Sequence, residues 1–184
     1  LILFVFVMII QHTIGSMRED AYRIAELTYR KEVDSATRLY NKNKYEDMLA
    51  NYYTMVERVA VVLWDINNLK EINDRMGHGM GDKLIETMSG AIYAQTDSRK
   101  KAYRIGGDEF VMLIENPEKQ EAEQIIQNVR DKLARHREEG GLRVSSATGT
   151  AEGNGIDILK TVHDADERMY EEERKGEPRI CYVL

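Results

Sequence analysis

The stretch "AYRIGGDEFVMLIE", residues 102–115, decides how the rest of the chain is read. Two apolar-leaning runs flank Gly106-Gly107-Asp108-Glu109, the pattern of a β-hairpin with strands over roughly 101–105 and 110–115. A turn needs only the glycines. Asp108 and Glu109 are then either solvated turn residues or ligands. A short "GDE" on its own is more often a solvated turn than a site. The choice rests on what else the fold brings to that end of the hairpin.

"RVAVVLWDI", residues 58–66, is a continuous apolar run rich in valine, which reads as a strand buried on both faces. Asp65 stands where this run ends. If the hairpin lies beside this strand and both open at the same edge, Asp65 and Asp108 come together. Carboxylates that close repel unless a cation sits among them. With oxygen ligands alone the cation is Mg²⁺ or Mn²⁺, bound by carboxylates together with substrate phosphates. Gly106 and Gly107 would let a phosphate-bearing ligand approach the backbone. These residues point to nucleotidyl transfer.

The remaining elements follow from periodicity. Residues 41–55 read as a helix with Tyr45, Met48, Leu49 and Tyr52 on one face. "NNLKEINDRMGHGMGD", 67–82, starts as a short helix and breaks at Gly77, Gly79 and Gly81. Asp82 is expected to cap a helix through about Gln95, with Leu84, Ile85, Met88, Ala91 and Ile92 inward. A helix over 119–138 turns Ala122, Ile125, Ile126, Val129 and Leu133 inward, and a turn and strand follow in 140–151. The helix of 155–175 turns Ile158, Leu159, Val162, Ala165 and Met169 inward, and "RICYVL", 179–184, is expected as a closing strand. The fold class is α/β (α+β): a five-stranded mixed sheet flanked by helices, with a ferredoxin-like crossover before the hairpin. There is no internal repeat and no low-complexity segment.

The 184 residues suffice for one domain and an appendage. A formal charge of −6 argues against a nucleic-acid groove but not against a nucleotide held through a metal ion. A lone Cys181 excludes an intramolecular disulfide framework and fits a reducing compartment. Without CxxC, a Cys/His cluster or HExxH, zinc is not expected.

Residues 1–10, "LILFVFVMII", are wholly apolar but too few to cross a bilayer core of about 30 Å. The preferred reading is the tail of a transmembrane helix, anchoring a cytoplasmic domain to an inner membrane through the segment before residue 14. A buried or swapped segment and a signal-peptide core are the alternatives. Ile14, Met17, Ala21, Ile24 and Thr28 form a heptad seam, so 13–33 reads as a connecting helix that either pairs with its own copy or packs on its own domain. Residues 1–33 are thus set apart from a domain of 34–184.

Taken together, "RIGGDEF" and "DINNLKEINDRMGHGMGD" resemble the GGDEF family, the bacterial diguanylate cyclases. "DSATRLYNKNKYEDML", 34–49, resembles that domain's opening and "DADERMYEEERKG" its last helix. The resemblance implies a nucleotidyl-cyclase architecture and condensation of two GTP to cyclic di-GMP and two pyrophosphates, at a site shared by a homodimer. It implies Asp65, the carbonyl of Ile66, Asp108 and Glu109 as metal-binding positions, with Glu109 also associated with the attacking 3′-hydroxyl. Asn67, Asn68, Leu69 and Lys70 match the phosphate-holding loop, Lys70 with a catalytic part. Asn73 and Asp82 match the pair that reads the guanine edge, and Arg104 is placed to help phosphates or to orient the loop. His78 is read as a loop-packing residue, Met76, Met80 and Met88 as core or loop filler, and Tyr103 as a packed strand residue.

The chain departs from the family pattern in four places. Ala36 stands for the usual Leu, Arg38 for the usual Gly, and Asn67 for the usual Asp. Glu173 and Glu177 occupy positions where the family carries phosphate-reaching cations, with Arg174 and Lys175 as possible substitutes. The family's inhibitory RxxD appears as Asp97 and Lys100 with its charges reversed, so inhibition there is not expected. A catalytically weak or inactive domain acting as a GTP-binding or interaction module is the alternative function.

Overall fold

The structure is a computed structural model that describes residues 2–175. The chain begins with a long helix, α1 (Ile2–Glu32), followed by a two-residue strand β1 (Tyr40–Asn41) and α2 (Lys42–Asn51). Then come β2 (Arg58–Ile66), α3 (Leu69–Met76), α4 (His78–Tyr93), β3 (Lys100–Arg104) and β4 (Glu109–Glu115). The order closes with α5 (Glu121–Glu138), β5 (Ser146–Asn154) and α6 (Ile158–Lys175).

The strands form one mixed sheet in the order β1-β3-β4-β2-β5. Among the described strands only β1 and β3 are parallel; β3–β4, β4–β2 and β2–β5 are antiparallel. The valine-rich run is therefore flanked by a strand on each side and covered on both faces, and Val59 through Trp64 are all buried. Alternation divides its side chains between two cores. Ala60, Val62, Trp64 and Ile66 pack with α3, α4 and α5, whereas Val59, Val61 and Leu63 pack with α2 and α6. Full burial of one such large apolar side chain contributes roughly 1.5–3 kcal/mol.

Among the described residues the sheet is five-stranded and mixed with flanking helices, as expected, and it includes one strand that was not foreseen. The fifth strand is Tyr40–Asn41, too short to give a periodic signal; the expected strand of 179–184 lies outside the described residues. Helix boundaries differ for local reasons. α2 ends at Asn51, and a single 3₁₀ turn (Tyr53–Met55) buries Tyr53 instead of Tyr52, whose hydroxyl donates to Glu115 Oε2 at 3.1 Å. Only Gly77 (φ 84°) breaks the α3–α4 segment, so Gly79 and Gly81 lie inside α4 and Asp82 is in its second turn, not at its cap. On α6, Ile158 and Ala165 are buried as expected, but Leu159 is exposed and Thr161 is buried in its stead.

The apolar start and the heptad segment are one continuous helix. Ile14, Met17 and Ile24 are exposed, so the seam does not pack on its own domain. Among the described residues no helix is long and apolar enough to cross a membrane.

Candidate active site

The site is built at the end of β2, where register places Asp65 opposite Glu109 of β4 and Asp108 adjoins it in the turn. The backbone seals this corner: the Ile66 amide donates to the Asp108 carbonyl at 3.1 Å, and the Asn67 amide to the Ser145 carbonyl at 3.0 Å. Following the alternation of β2, Asp65 falls on the face that α6 covers. Like charges directly opposite on an antiparallel pair destabilise it. Accordingly the Asp65 carboxyl is pushed up to about 7, first by burial, then by Asp108, Glu109 and Glu173. Glu173, near the end of α6, is thus the last of the negative charges that raise it.

The two glycines play different parts. Neither Gly106 nor Gly107 has a positive φ. A Cβ on Gly106 would lie 2.3 Å from Glu109 Oε2, so this glycine makes room for the Glu109 carboxylate folded back over the turn. Gly107 has open space around its Cα, which leaves the backbone approachable there.

Beyond β2, Asn67 is half-buried and its Nδ2 lies 3.4 Å from Ser145 Oγ. Asn68 adopts the left-handed region (φ 59°) and its carbonyl accepts from the Ile72 amide at 3.0 Å. Leu69 is buried and anchors α3, and Lys70 is exposed in the first turn. The first amides of α3 have no partner within the helix, and such amides suit an anion. Further along, Asn73 packs against Gly81, next to the exposed Asp82. The two candidate base-reading residues therefore share the α3–α4 junction.

Arg104 is engaged elsewhere than at a free phosphate position. Its Nε donates to the Gly106 carbonyl at 3.2 Å, one terminal nitrogen to the Gly107 carbonyl at 2.7 Å, and the other to Asp34 Oδ1 at 3.2 Å. Asp34 Oδ1 also accepts from the Thr37 amide (2.9 Å) and hydroxyl (2.6 Å). Burial opposes ionisation of Asp34, but the Thr37 hydrogen bonds and the Arg104 guanidinium outweigh it and hold the carboxyl below its ordinary range. This strut joins the junction after α1 to the signature turn. Sequence reading missed it, although Asp34 opens one of the quoted motifs.

Of the remaining candidates, Tyr103 and Met88 are fully buried as expected, and Met80 packs partly against the core. Met76 and His78 are exposed, so neither is a core residue. The guanidinium carbon of Arg174 lies 5.9 Å from the centre of the Tyr170 ring, a cation–π contact. Glu177 lies outside the described residues. Asp97 and Lys100 form a 2.8 Å ion pair with each other, and Lys100 also reaches Glu121 at 3.3 Å.

Among the described residues no three His, Cys, Asp or Glu side chains close into a metal cage. Mg²⁺ does not require one, being commonly held by one or two carboxylates together with substrate phosphates. The oxygen-only donors of Asp65, Ile66, Asp108 and Glu109 and the mutual repulsion at Asp65 fit such an ion.

The family described as diguanylate cyclase, GGDEF domain, matches residues 31–179. The chain belongs to the GGDEF domain family. Among curated proteins, this GGDEF domain is 27% identical over 170 residues to the diguanylate cyclase DgcS of Shewanella oneidensis, covering 90% of this chain and 56% of that one. It is 30% identical over 154 residues to the cyclic di-GMP phosphodiesterase PdeR of Escherichia coli, covering 80% of this chain and 23% of that one. The chain thus spans about half, or less, of the length of these relatives. The coiled coil and GGDEF domain of DgcB from Caulobacter crescentus, solved with c-di-GMP, superposes with a TM-score of 0.76 at 19% identity, covering 91% of this chain and 93% of that one. That likeness supports the fold.

Proposed function

We propose that the chain is a diguanylate cyclase, with residues 34–184 as the catalytic domain and 1–33 as the connecting segment. Two GTP condense as the 3′-oxygen of each bonds to the α-phosphorus of the other. The bond from that phosphorus to the bridging oxygen breaks, and pyrophosphate leaves. One domain holds one GTP, so two copies must face each other as a homodimer. The observation that carries this reading is the cross-strand pair Asp65–Glu109 with Asp108 beside it, next to the α3 loop.

Asp65, the Ile66 carbonyl, Asp108 and Glu109 would hold Mg²⁺ or Mn²⁺. When bound, the ion neutralises phosphate charge and lowers the pKa of the attacking hydroxyl. Glu109 accepts the 3′-hydroxyl proton. The amides of Asn67, Asn68 and Leu69, with Lys70, hold the phosphates. Asn73 and Asp82 read the guanine, Asp82 as an acceptor for the N1–H and exocyclic amine that adenine lacks. Arg104 holds the signature turn through the Gly106 and Gly107 carbonyls. The apolar start of α1 anchors the protein at a membrane.

The test is Asp108→Asn, followed by cyclic di-GMP formation and by melting without metal. Turnover is expected to vanish. The metal-free variant should melt at or above the wild type, because one of the repelling carboxylates is gone. Unchanged turnover overturns the metal role. A second reading, a GTP-binding module without turnover, draws on Glu173 and Glu177, acids at positions where the family carries phosphate-reaching cations. It predicts bound GTP and no product.

A further inference from the structure

Gly81 lies inside α4, and its φ is not positive, so its backbone does not require glycine. Alanine would favour the helix over glycine. Space is the constraint. A Cβ on Gly81 would lie 2.0 Å from Asn73 Oδ1, 2.8 Å from its Cγ and 3.0 Å from its Nδ2. The Asn73 side chain therefore lies in the slot that the missing Cβ leaves. A second observation concerns the same group: Asn73 Oδ1 is buried with no hydrogen-bond partner. An orphaned acceptor of this kind is held in place at a cost in stability. An unsatisfied buried polar group in a native protein calls for a reason, and a geometry that serves a ligand is one.

We propose that Gly81 is a positioning residue for base selection: its missing side chain fixes where the Asn73 amide sits beside Asp82, and so sets the preference for guanine over adenine. The proposal rests on the guanine-site reading above. Gly90, in the same helix, supplies the control, because a Cβ there meets nothing within 4 Å. Both glycines offer the same gain in helix propensity, but only one touches Asn73.

The probes are 3′-deoxy-GTP and 3′-deoxy-ATP with Mg²⁺. They lack the attacking hydroxyl, so calorimetry on the full chain reads binding without turnover. Gly81→Ala is expected to weaken 3′-deoxy-GTP binding about tenfold, the size of one or two neutral hydrogen bonds, and to leave 3′-deoxy-ATP unchanged. Gly90→Ala should change neither. In an Asn73→Ala background, Gly81→Ala should cost no further affinity, since it acts through that side chain. Should Gly81→Ala fail to fold, the double variant Asn73→Ala/Gly81→Ala, freed of the collision, must regain the wild-type melt. The positioning role is overturned by a folded Gly81→Ala with wild-type nucleotide preference. It is equally overturned by a full additional loss in the Asn73→Ala background, or by a double variant that stays unfolded. A wild-type chain that binds both probes equally instead removes the guanine site itself, and the proposal with it.

Discussion

Asp34→Asn perturbs the strut between the α1 junction and the signature turn. Asp34 Oδ1 takes three donors: the Thr37 amide, the Thr37 hydroxyl and Arg104. Asparagine keeps an acceptor in that place but loses the charge, and charge-assisted hydrogen bonds are roughly twice as strong as neutral ones. The ion pair is partly shielded, with the Arg104 and Asp34 side chains 16% and 25% exposed, so solvent screening removes only part of the effect. Halving these bonds costs about 1–2 kcal/mol at neutral pH. Urea unfolding measures it, as a lower midpoint at unchanged m-value. The pH dependence gives an independent check. The folded carboxyl lies below its ordinary range, so its contribution is complete above the unfolded pKa and disappears as pH falls through the folded value. Wild type and variant should therefore converge in acid. Equal stability at neutral pH, or a gap that persists in acid, would refute the strut. Cyclic di-GMP synthesis should fall as well, since the same guanidinium holds the Gly106 and Gly107 carbonyls.

Other consequences are as direct. Glu173→Lys replaces repulsion at Asp65 with attraction for phosphate and should raise kcat/KM for GTP on the order of tenfold; steady-state kinetics that stay flat would mean another cation supplies the charge. Added cyclic di-GMP should leave initial rates unchanged, because Asp97 and Lys100 are paired with each other and Lys100 with Glu121; submicromolar inhibition lost on Lys100→Ala would contradict this. Gly149→Ala should destabilise by more than about 2 kcal/mol in urea, since its Cβ would lie 2.0 Å from the backbone carbonyl of Ala165 on α6; a wild-type midpoint would show that α6 can move aside.

The elements with strong periodicity were legible. The β2 run, the hairpin and the inward faces of α4 and α5 follow from one-dimensional patterns that tertiary packing reinforces. β1 was not, because two residues carry no period and their pairing with β3 depends on contacts distant in sequence. The glycines of 77–81 misled for a related reason. A glycine signals a break when the backbone needs one, and here only Gly77 does, while Gly81 answers to the Asn73 side chain from another helix. That Asp65 and Asp108 share one edge was conditional on the hairpin lying beside β2, and the β2–β4 register meets that condition. The engagement of Arg104 with Asp34 was hidden, since 70 positions separate them.

The central claim is turnover, and product identity tests it most directly. The full chain at high concentration, with GTP and Mg²⁺ or Mn²⁺, should yield cyclic di-GMP and pyrophosphate in a ratio of one to two, with the cyclic dinucleotide identified by mass spectrometry. GTP that stays bound and intact on a dimeric chain would contradict the account.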